Sequence, residues 1–248
     1  MILPGHDERR FPLATKKLCL TDWDGTLRRG YTAVDWLSYL TTTGLVCAQH
    51  LEDFHVALEQ YDRGQLPYEE LVRTGAQLYG NAIRGLHAGD LEAYTPEFLS
   101  SFEEALFPFS AAILDAFADE GIEVAVITGA PEEPLRAYLS RYPRCHLFAV
   151  QVEQNENGVY TGDVKQNYGL EQKKREAVIS LLSQPSEVII ALGNSESDWP
   201  LFEPATLRLF VSNGKEVARH PNLRILRTDD GASKVLRTLE HFGGVRWR

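Results

Sequence analysis

The first half of the chain combines one strand-like segment with a long stretch of helical pattern. Residues 18–20 are consecutively apolar, which is typical of a buried strand. After Leu27 the apolar residues instead recur at the spacing of one helix face, and Pro67 suits the start of a helix. This pattern predicts four helices, over residues 34–40, 51–61, 68–78 and 91–102.

Strand-like runs return in the second half, where they alternate with helical segments. The predicted strands cover residues 123–128, 186–192 and 207–211, and the predicted helices cover residues 110–120, 131–141 and 171–182. Such alternation predicts a parallel sheet with helices on both faces. Residues 149–152 and 159–161, joined through Asn157-Gly158, predict a β-hairpin.

Together these elements predict an α/β fold whose core is a Rossmann-like, three-layer parallel sheet. The helical stretch interrupts this core directly after the first strand and therefore predicts an inserted cap. We expect the core domain to comprise residues 1–29 and 106–248, and the helical cap domain to comprise residues 30–105. In open sheets of this kind, ligands bind outside the carboxyl ends of the strands.

Composition narrows the classes of partner. The 248 residues carry a formal net charge of −10, which disfavours binding to a phosphate backbone, so we expect no nucleic acid partner. Cys19, Cys47 and Cys145 are far apart, which argues against a disulfide framework or structural zinc and fits a reducing compartment. No apolar run is long enough for a membrane span, and the amino terminus lacks a secretory signal. We therefore expect a cytoplasmic protein with no membrane partner.

The first motif, residues 21–27, follows the first predicted strand and reads Thr-Asp-Trp-Asp-Gly-Thr-Leu. Strand side chains alternate between faces, so Asp22 and Asp24 share one side and Trp23 points to the other. Gly25 allows the backbone to turn sharply. Two neighbouring carboxylates repel each other, so the arrangement is most stable if a cation or a shared proton resolves the conflict.

Two further segments offer groups that bind anions. Thr128-Gly129 ends a predicted strand, where a hydroxyl and a backbone amide form either an anion cradle or a plain strand-to-helix turn. In the helix that follows the hairpin, spacing places Lys174 on the buried face and Lys173 nearer the solvent edge. A lysine that points into an acidic crevice can neutralise a phosphate. For Lys173 and Arg175, a solvated basic patch is the better interpretation.

A fourth segment, residues 192–198, follows a strongly apolar strand. Oxygen atoms of Asn194 and Asp198 suit a hard cation such as Mg²⁺, which takes few protein ligands and keeps several waters. The alternative is a polar loop in which Ser195 or Ser197 caps a helix. Because all four segments lie at strand ends, we expect their polar groups to converge on one crevice.

In this order, the four segments resemble the haloacid dehalogenase superfamily of phosphohydrolases, over about residues 17–235. The resemblance is closest to the phosphoserine-phosphatase-like branch, which has a helical cap, and residues 64–70 and 160–164 add to it. It implies that Asp22 is the nucleophile that forms an aspartyl-phosphate and that Asp24 is the general acid and base. It implies phosphoryl contacts from Thr128, the Gly129 amide and Lys174. It also implies a Mg²⁺ site formed by Asp22, the Asp24 carbonyl, Asn194 and Asp198.

The sequence departs from that family at three positions. Asn194 stands where the family usually has Asp. Tyr31 and Gly75 stand where phosphoserine phosphatases have a glutamate and an arginine for the serine moiety, although Arg73 is close in sequence to Gly75. We therefore expect phosphoserine to be a poor substrate. Tyr31, with its neighbours Arg28 and Arg29, lies where the chain leaves for the cap; the arginines either meet the leaving group or are solvated.

These observations favour a cytoplasmic, Mg²⁺-dependent phosphoric monoester hydrolase that acts on a small phosphorylated metabolite. A phosphomutase or phosphotransferase on the same scaffold is the nearest alternative. A non-catalytic binding protein that keeps the crevice is the alternative from another class, and Asn194 is the feature that favours it.

Overall fold

The computed structural model describes residues 16–184, 186–212, 214 and 223–243. Within them, seven strands form one sheet in the order β4-β3-β2-β1-β5-β6-β7. The strands are β1 (Lys16–Thr21), β2 (Glu123–Pro131), β3 (Cys145–Gln154), β4 (Tyr160–Gln166), β5 (Ser186–Gly193), β6 (Leu207–Ser212) and β7 (Leu223–Arg227). Every neighbouring pair is parallel except β3 and β4, which form the antiparallel hairpin. The predicted α/β class is confirmed.

Nine helices accompany the sheet in the described residues. They are α1 (Thr32–Thr42), α2 (Ala48–Asp62), α3 (Tyr68–Ile83), α4 (Ala88–Glu104), α5 (Ser110–Asp119), α6 (Glu132–Leu139), α7 (Glu171–Leu181), α8 (Trp199–Phe202) and α9 (Ala232–Gly243). The predicted helices are confirmed to within a few residues at each end, except that α3 runs five residues further. Strand β7 and helices α8 and α9 were not predicted from the sequence pattern. Among the described residues, no helix combines the length and apolar character that crossing a bilayer requires.

Alternation along the central strands explains why both sheet faces are covered. In β1, Cys19 packs into the apolar cluster on one face, while Leu18 and Leu20 pack into the cluster on the other. Strands buried on both faces read as continuous apolar runs, as this one does. Trp23, just beyond the strand, is fully buried in the first cluster, with its ring 5.8 Å from that of Phe102.

Helices α1 to α4 lie between β1 and α5. The segments by which the chain enters and leaves this insertion are joined to each other by backbone hydrogen bonds. The Arg29 amide donates to the Ala105 carbonyl at 2.8 Å, and the Phe107 amide donates to the Leu27 carbonyl at 3.0 Å. The domain boundaries themselves stay a prediction, and residues 1–15 and 244–248 of the predicted core lie outside the described residues.

Helix α3 packs directly on the hairpin of the core. The side-chain amide of Gln77 donates to the Gly162 carbonyl at 3.1 Å, and that of Asn167 donates to the Val72 carbonyl at 3.0 Å. Gly80 allows the close approach, because a Cβ atom there would lie only 2.5 Å from the Gly162 carbonyl oxygen. The contact holds α3 over the carboxyl edge of the sheet, where it forms part of the wall of a cavity.

Candidate active site

A cavity of about 350 Å³ opens at the carboxyl ends of β1, β2 and β5, below the inserted helices. Six of the seven site residues predicted from the sequence line it: Asp22, Asp24, Thr128, Gly129, Lys174 and Asn194. The seventh, Asp198, is fully buried and is bonded to Lys174. Polar residues that are far apart in sequence therefore meet at one edge of the sheet, as the strand-end rule for open sheets requires.

Lys174 is the central charge of the cavity floor. Its ammonium lies 3.2 Å from Asp22 Oδ1 and 2.5 Å from Asp198 Oδ1, and the residue is only 1% exposed. Burial alone would lower the pKa of Lys174, but Asp198 and Asp22 hold it above its usual range, so the ammonium stays charged. Lys173, one position earlier, instead faces solvent and pairs with Glu176 at 2.7 Å.

The environment of the Asp22 carboxylate is more negative than the single positive charge of Lys174 can offset. Burial raises the pKa of Asp22 to about 7, and the carboxylates of Asp198 and Asp24 add to this effect against the opposing charge of Lys174. On its other oxygen, Oδ2, the carboxylate is 3.4 Å from the donor hydroxyl of Thr26. The pKa indicates a site that gains from further positive charge beside Asp22.

Asp24 is held by the first turn of α1. Its Oδ2 accepts from the Thr32 amide at 2.8 Å, and its Oδ1 accepts from the Thr32 hydroxyl at 2.6 Å and from Arg28 at 3.4 Å. Burial raises the pKa of Asp24, while Arg28 and the hydrogen bonds from Thr32 oppose the shift. The general acid inferred from the resemblance is therefore connected through Thr32 to the first inserted helix.

Arg28 is buried rather than solvated, so its reading as a solvated residue is wrong. It is 1% exposed, its guanidinium lies 5.0 Å from the centre of the Phe102 ring, and it pairs with Asp24 and Asp35. Helix α4 supplies Phe102 and so covers the guanidinium. Arg29 lies outside the cavity lining, with its guanidinium 5.8 Å from the centre of the Phe107 ring.

The loop after β5 is organised around Asp198. Its Oδ2 accepts from the amides of Asn194 and Ser195, both at 2.9 Å, and from the Ser195 hydroxyl at 3.0 Å. The serine cap considered from the sequence is thus present, as a capping box between Ser195 and Asp198. The Asn194 side chain packs against Gly25, which has a positive φ of 78° and leaves no room for a Cβ.

The strand end at Thr128 presents a hydroxyl and an exposed backbone. Thr128 is 1% exposed and its hydroxyl oxygen accepts from the Ala130 amide at 3.2 Å. Gly129 is exposed to the cavity, while Pro131 is the residue that precedes the first turn of α6. A glycine that is exposed to the cavity shortly before a helix start suits an anion that binds to backbone amides.

The cap side of the cavity is mainly aromatic and apolar. Among its lining residues are Tyr31, Phe54, Tyr61, Tyr68 and Tyr79. Gly75 also lines it, and a Cβ there would lie 3.0 Å from the Phe54 ring, so the ring fills the space next to the glycine. Arg73 is on the solvent side of α3, where it pairs with Glu69 at 2.6 Å, and is not among the lining residues.

The family model described as haloacid dehalogenase-like hydrolase matches residues 19–203. This chain belongs to that family. The match spans all four motifs, from β1 through the loop that follows β5. No curated protein sequence matches the chain.

Several solved structures share this fold at low sequence identity. A protein of unknown function from Bordetella pertussis Tohama I superposes with a TM-score of 0.65 and 21% identity, covering 79% of this chain and 90% of its own. A substrate-bound phosphoserine phosphatase gives a TM-score of 0.62 at 17% identity, covering 90% and 98%. Cytosolic 5'-nucleotidase IIIB bound to cytidine gives 0.66 at 12% identity, covering 92% and 85%. At these identities the likeness shows the shared fold.

The donor set of this hydrolase fits a hard divalent cation. The Thr26 hydroxyl lies 3.4 Å from Asp22 Oδ2 and 3.3 Å from Asn194 Oδ1, so both oxygens face the same small region. The Asp22 carboxylate and the Asn194 amide oxygen, together with the Asp24 carbonyl that the resemblance adds, would make an all-oxygen set of the kind that Mg²⁺ accepts while it keeps waters. Among the described residues no group of three or more His, Cys, Asp and Glu side chains is arranged around a metal position. Any cation here would therefore combine the Asp22 carboxylate with neutral oxygens.

Several residues around the site were missed by reasoning from the sequence. Thr26 bridges Asp22 and Asn194, and Thr32 holds Asp24. Their signal was the position of each threonine close to the two aspartates, but threonines are common in turns and at helix starts that have no catalytic role. Tyr61 and Asp62, at the end of α2, had no signal in the sequence that would distinguish them from an ordinary helix end.

Proposed function

We propose that the protein is a Mg²⁺-dependent phosphatase that hydrolyses a small phosphomonoester through an aspartyl-phosphate on Asp22. The observation that carries this proposal is the fully charged, buried Lys174, which bridges Asp22 at 3.2 Å and Asp198 at 2.5 Å on the floor of the cavity. A cation held against a carboxylate in this way serves a reaction in which an anion approaches an anion. Thr128 and Gly129 on the same floor add donors for phosphoryl oxygens.

In the first step, an oxygen of Asp22 forms a bond to phosphorus and the bond from phosphorus to the leaving oxygen breaks. Asp24 gives its proton to that oxygen, so the product leaves as a neutral alcohol. The raised pKa of Asp24 supports the protonated state that this step needs. Lys174, the Thr128 hydroxyl and the Gly129 amide neutralise the phosphoryl oxygens during the transfer.

In the second step, water attacks the phosphorus of the aspartyl-phosphate and Asp24, now a carboxylate, takes a proton from it. The bond between phosphorus and Asp22 breaks, so phosphate leaves and the carboxylate is restored. Dividing the hydrolysis into two displacements makes each one easier. The hydrogen bonds from Thr32 and Arg28 keep Asp24 at one position for both proton transfers.

Asp22, the Asp24 carbonyl and Asn194 would hold Mg²⁺. Asp198, which the resemblance also assigns to the metal site, would act from behind these ligands, because its Oδ1 contacts Lys174 and its Oδ2 accepts from the amides of Asn194 and Ser195. When bound, the cation offsets the charge of the phosphoryl group and of Asp22. The size of the cavity, at about 350 Å³, suits a small phosphorylated metabolite. A cytoplasmic location stays part of the proposal, supported by the free state of Cys19, Cys47 and Cys145.

The test is to follow hydrolysis of para-nitrophenyl phosphate with and without Mg²⁺ and to acid-quench the protein during turnover of radiolabelled acetyl phosphate. We expect Mg²⁺-dependent hydrolysis and a protein-bound label that hydroxylamine removes, as expected for an acyl phosphate. The label should map to the peptide that contains Asp22. Hydrolysis without any label on that peptide contradicts the mechanism, and absence of both favours the binding-protein alternative.

A further inference from the structure

The cap side of the cavity contains a compact group of rings that the proposed phosphoryl chemistry does not use. Tyr31, Tyr61 and Tyr68, which we call the tyrosine wall, all line the cavity. The rings of Tyr61 and Tyr68 are 5.9 Å apart between centroids. Tyr31 and Tyr68 remain 42% and 38% exposed, so their rings are open to a ligand.

The members of the tyrosine wall are close enough to affect one another electrostatically. Burial raises the pKa of Tyr31 to about 12, and Tyr68, Tyr61 and Asp62 each add to the shift. The phenols of Tyr31 and Tyr68, whose pKa values are both raised by burial, therefore stay neutral at physiological pH. The face of a neutral tyrosine ring is negative and attracts cations, whereas an anion could be bound only by the hydroxyl at the edge of the ring.

Asp62 places a carboxylate beside this wall. It is the last residue of α2 and lines the cavity, and it has no cationic partner among the described residues. A negative charge at the carboxyl end of a helix is electrostatically unfavourable. A cation at the mouth of the cavity would relieve this repulsion.

The charges that line the cavity point to the same class of ligand. Within the described part of the chain, Lys174 is the one cationic side chain in the lining, and it is already paired with Asp22 and Asp198. Arg28, Arg29 and Arg73 are outside the lining. Among these described residues, a carboxylate or second phosphate on the leaving group would find no counter-charge on the cap side, whereas an ammonium would find one at Asp62 and three ring faces.

We propose that the leaving group of the substrate carries an alkylated ammonium, which the tyrosine wall and Asp62 bind while the phosphoryl group contacts Lys174. The inference rests on the phosphomonoester hydrolysis proposed above and specifies its substrate class: a small ammonium-alkyl phosphate. Alkylation matters because the wall offers more ring surface than hydrogen-bond acceptors, and ring faces bind an alkylated ammonium without requiring N–H donors.

The decisive comparison uses two esters that differ in charge alone. Phosphocholine carries a quaternary nitrogen, and neohexyl phosphate has a carbon atom in its place. We expect kcat/KM to be about tenfold higher for phosphocholine, the scale of a partly desolvated cation–ring contact. Phosphoserine, whose carboxylate meets no cation on the cap side, should rank below phosphocholine. Equal values for the two isosteres, or a higher value for cytidine monophosphate, overturn the inference.

Binding to an inactive protein separates this inference from the proposed reaction. Calorimetry with the Asp22→Asn variant and Mg²⁺ should show the same preference for phosphocholine over neohexyl phosphate. If no ester is hydrolysed but the preference in binding persists, the reaction is wrong and the cation subsite stands. If para-nitrophenyl phosphate is hydrolysed and the two isosteres bind equally, the reaction stands and the cation subsite is wrong.

Matched variants identify the residues responsible. Asp62→Asn should lower the ratio of kcat/KM for phosphocholine over neohexyl phosphate about fivefold, while Glu52→Gln, the same loss of charge on an exposed part of α2, should leave the ratio unchanged. Tyr31→Leu should lower the ratio and Tyr31→Phe should retain it, because the ring face persists. An unchanged ratio in both Asp62→Asn and Tyr31→Leu contradicts the assignment.

Discussion

On the core side of the cavity the polar atoms are bonded to one another, whereas on the cap side ring faces and one unpaired carboxylate meet the open space. The floor links Asp22, Lys174 and Asp198 in one buried chain of contacts. The cap side of the cavity, which we call the roof, presents Tyr31 and Tyr68, whose side chains are 42% and 38% exposed. The floor is thus organised before any ligand arrives, while the roof offers a surface that gains its partner from the ligand.

This difference separates the reaction from the choice of substrate. Groups that stabilise a transition state contribute most when they are fixed in place beforehand. Groups that select a leaving group need only complement its shape and charge. Changes on the floor should therefore affect turnover of every ester, and changes on the roof should alter the ranking of esters.

The largest effect expected from a change on the floor is the loss of turnover when the nucleophile is removed. Asp22→Asn should lower kcat by about four orders of magnitude or more for every ester, since loss of a nucleophile costs on that scale. Lys174 keeps Asp198 as a partner at 2.5 Å, so the fold should persist. The measurements are kcat with para-nitrophenyl phosphate and the circular dichroism spectrum. Substantial turnover by a well-folded Asp22→Asn protein rules out the covalent mechanism.

The floor also has a built-in control pair in Lys174 and Lys173. Lys174→Ala should lower kcat at least a hundredfold and destabilise the fold by about 3–5 kcal/mol, because Asp22 and Asp198 would be left buried without their cation. Lys173→Ala, which removes an exposed ammonium from the adjacent position, should change neither quantity measurably. Activity per folded protein and chemical denaturation are the measurements.

The opposite ranking of the two variants, or equal losses in both, would place Lys173 at the phosphoryl group and contradict the hydrogen bonds of Lys174. Salt offers a second criterion. Any effect of Lys173→Ala should fade as ionic strength rises, while the loss caused by Lys174→Ala should persist, because buried charges are screened far less than exposed ones.

Much of the floor was predictable from sequence for physical reasons. Alternation in a strand places Asp22 and Asp24 on one side and buries Trp23 on the other, whatever the rest of the fold does. Helical spacing likewise predicts that Lys174 is buried and that Lys173 is not. These are local rules, and the strand-end rule for open sheets then brings the local pieces together.

The roof was not predictable in the same way, because it depends on how separate helices are oriented. Tyr61 and Tyr68 meet only because the turn between α2 and α3 reverses the chain. Arg28 looked like a solvated residue at a helix start, yet Phe102, from the far end of the insertion, covers it. Strand β7 was missed because its five residues are too few to show a period and do not alternate strictly between charged and apolar positions.

A smaller effect on stability is expected where helix α3, on the roof, packs on the β3–β4 hairpin of the core. Gly80→Ala should destabilise the fold by about 1–3 kcal/mol, because the new Cβ would lie 2.5 Å from the Gly162 carbonyl oxygen and force α3 away from the hairpin. Alanine is otherwise the better helix former, so the sign is a sharp test. The measurement is chemical denaturation, with KM for para-nitrophenyl phosphate as a report on the roof.

Gly89→Ala provides the matched control, since the nearest atom to its new Cβ is Nδ1 of the His87 side chain at 3.2 Å rather than backbone. It should leave stability unchanged or slightly raised. If Gly80→Ala is as stable as Gly89→Ala, the packing of α3 on the hairpin is looser than the close approach indicates. The roof would then be free to move relative to the floor.

The smallest expected effect concerns Asn194, the neutral side chain of the proposed metal site. Its Oδ1 lies 3.3 Å from the Thr26 hydroxyl, which is 3.4 Å from Asp22 Oδ2. Hard cations bind more tightly as the number of charged ligands rises. Asn194→Asp should therefore lower the Mg²⁺ concentration for half-maximal activity about tenfold, the effect of one partly solvated charge.

Protonation of the carboxylates in the site must not contribute to the measured difference in Mg²⁺ affinity. Asp22 already has a pKa of about 7, and a second carboxylate beside it would raise the pKa further in the absence of metal. At a pH below that pKa, protons would compete with Mg²⁺ and mask the gain in affinity. Both proteins should therefore be titrated with Mg²⁺ at a pH well above that pKa, by activity and by calorimetry.

Asn194→Ala should bind Mg²⁺ more weakly than the natural protein. If Asn194→Asp leaves the Mg²⁺ requirement unchanged and Asn194→Ala has no effect, residue 194 does not touch the metal. The tight packing of Asn194 on Gly25 would then serve only to shape the turn.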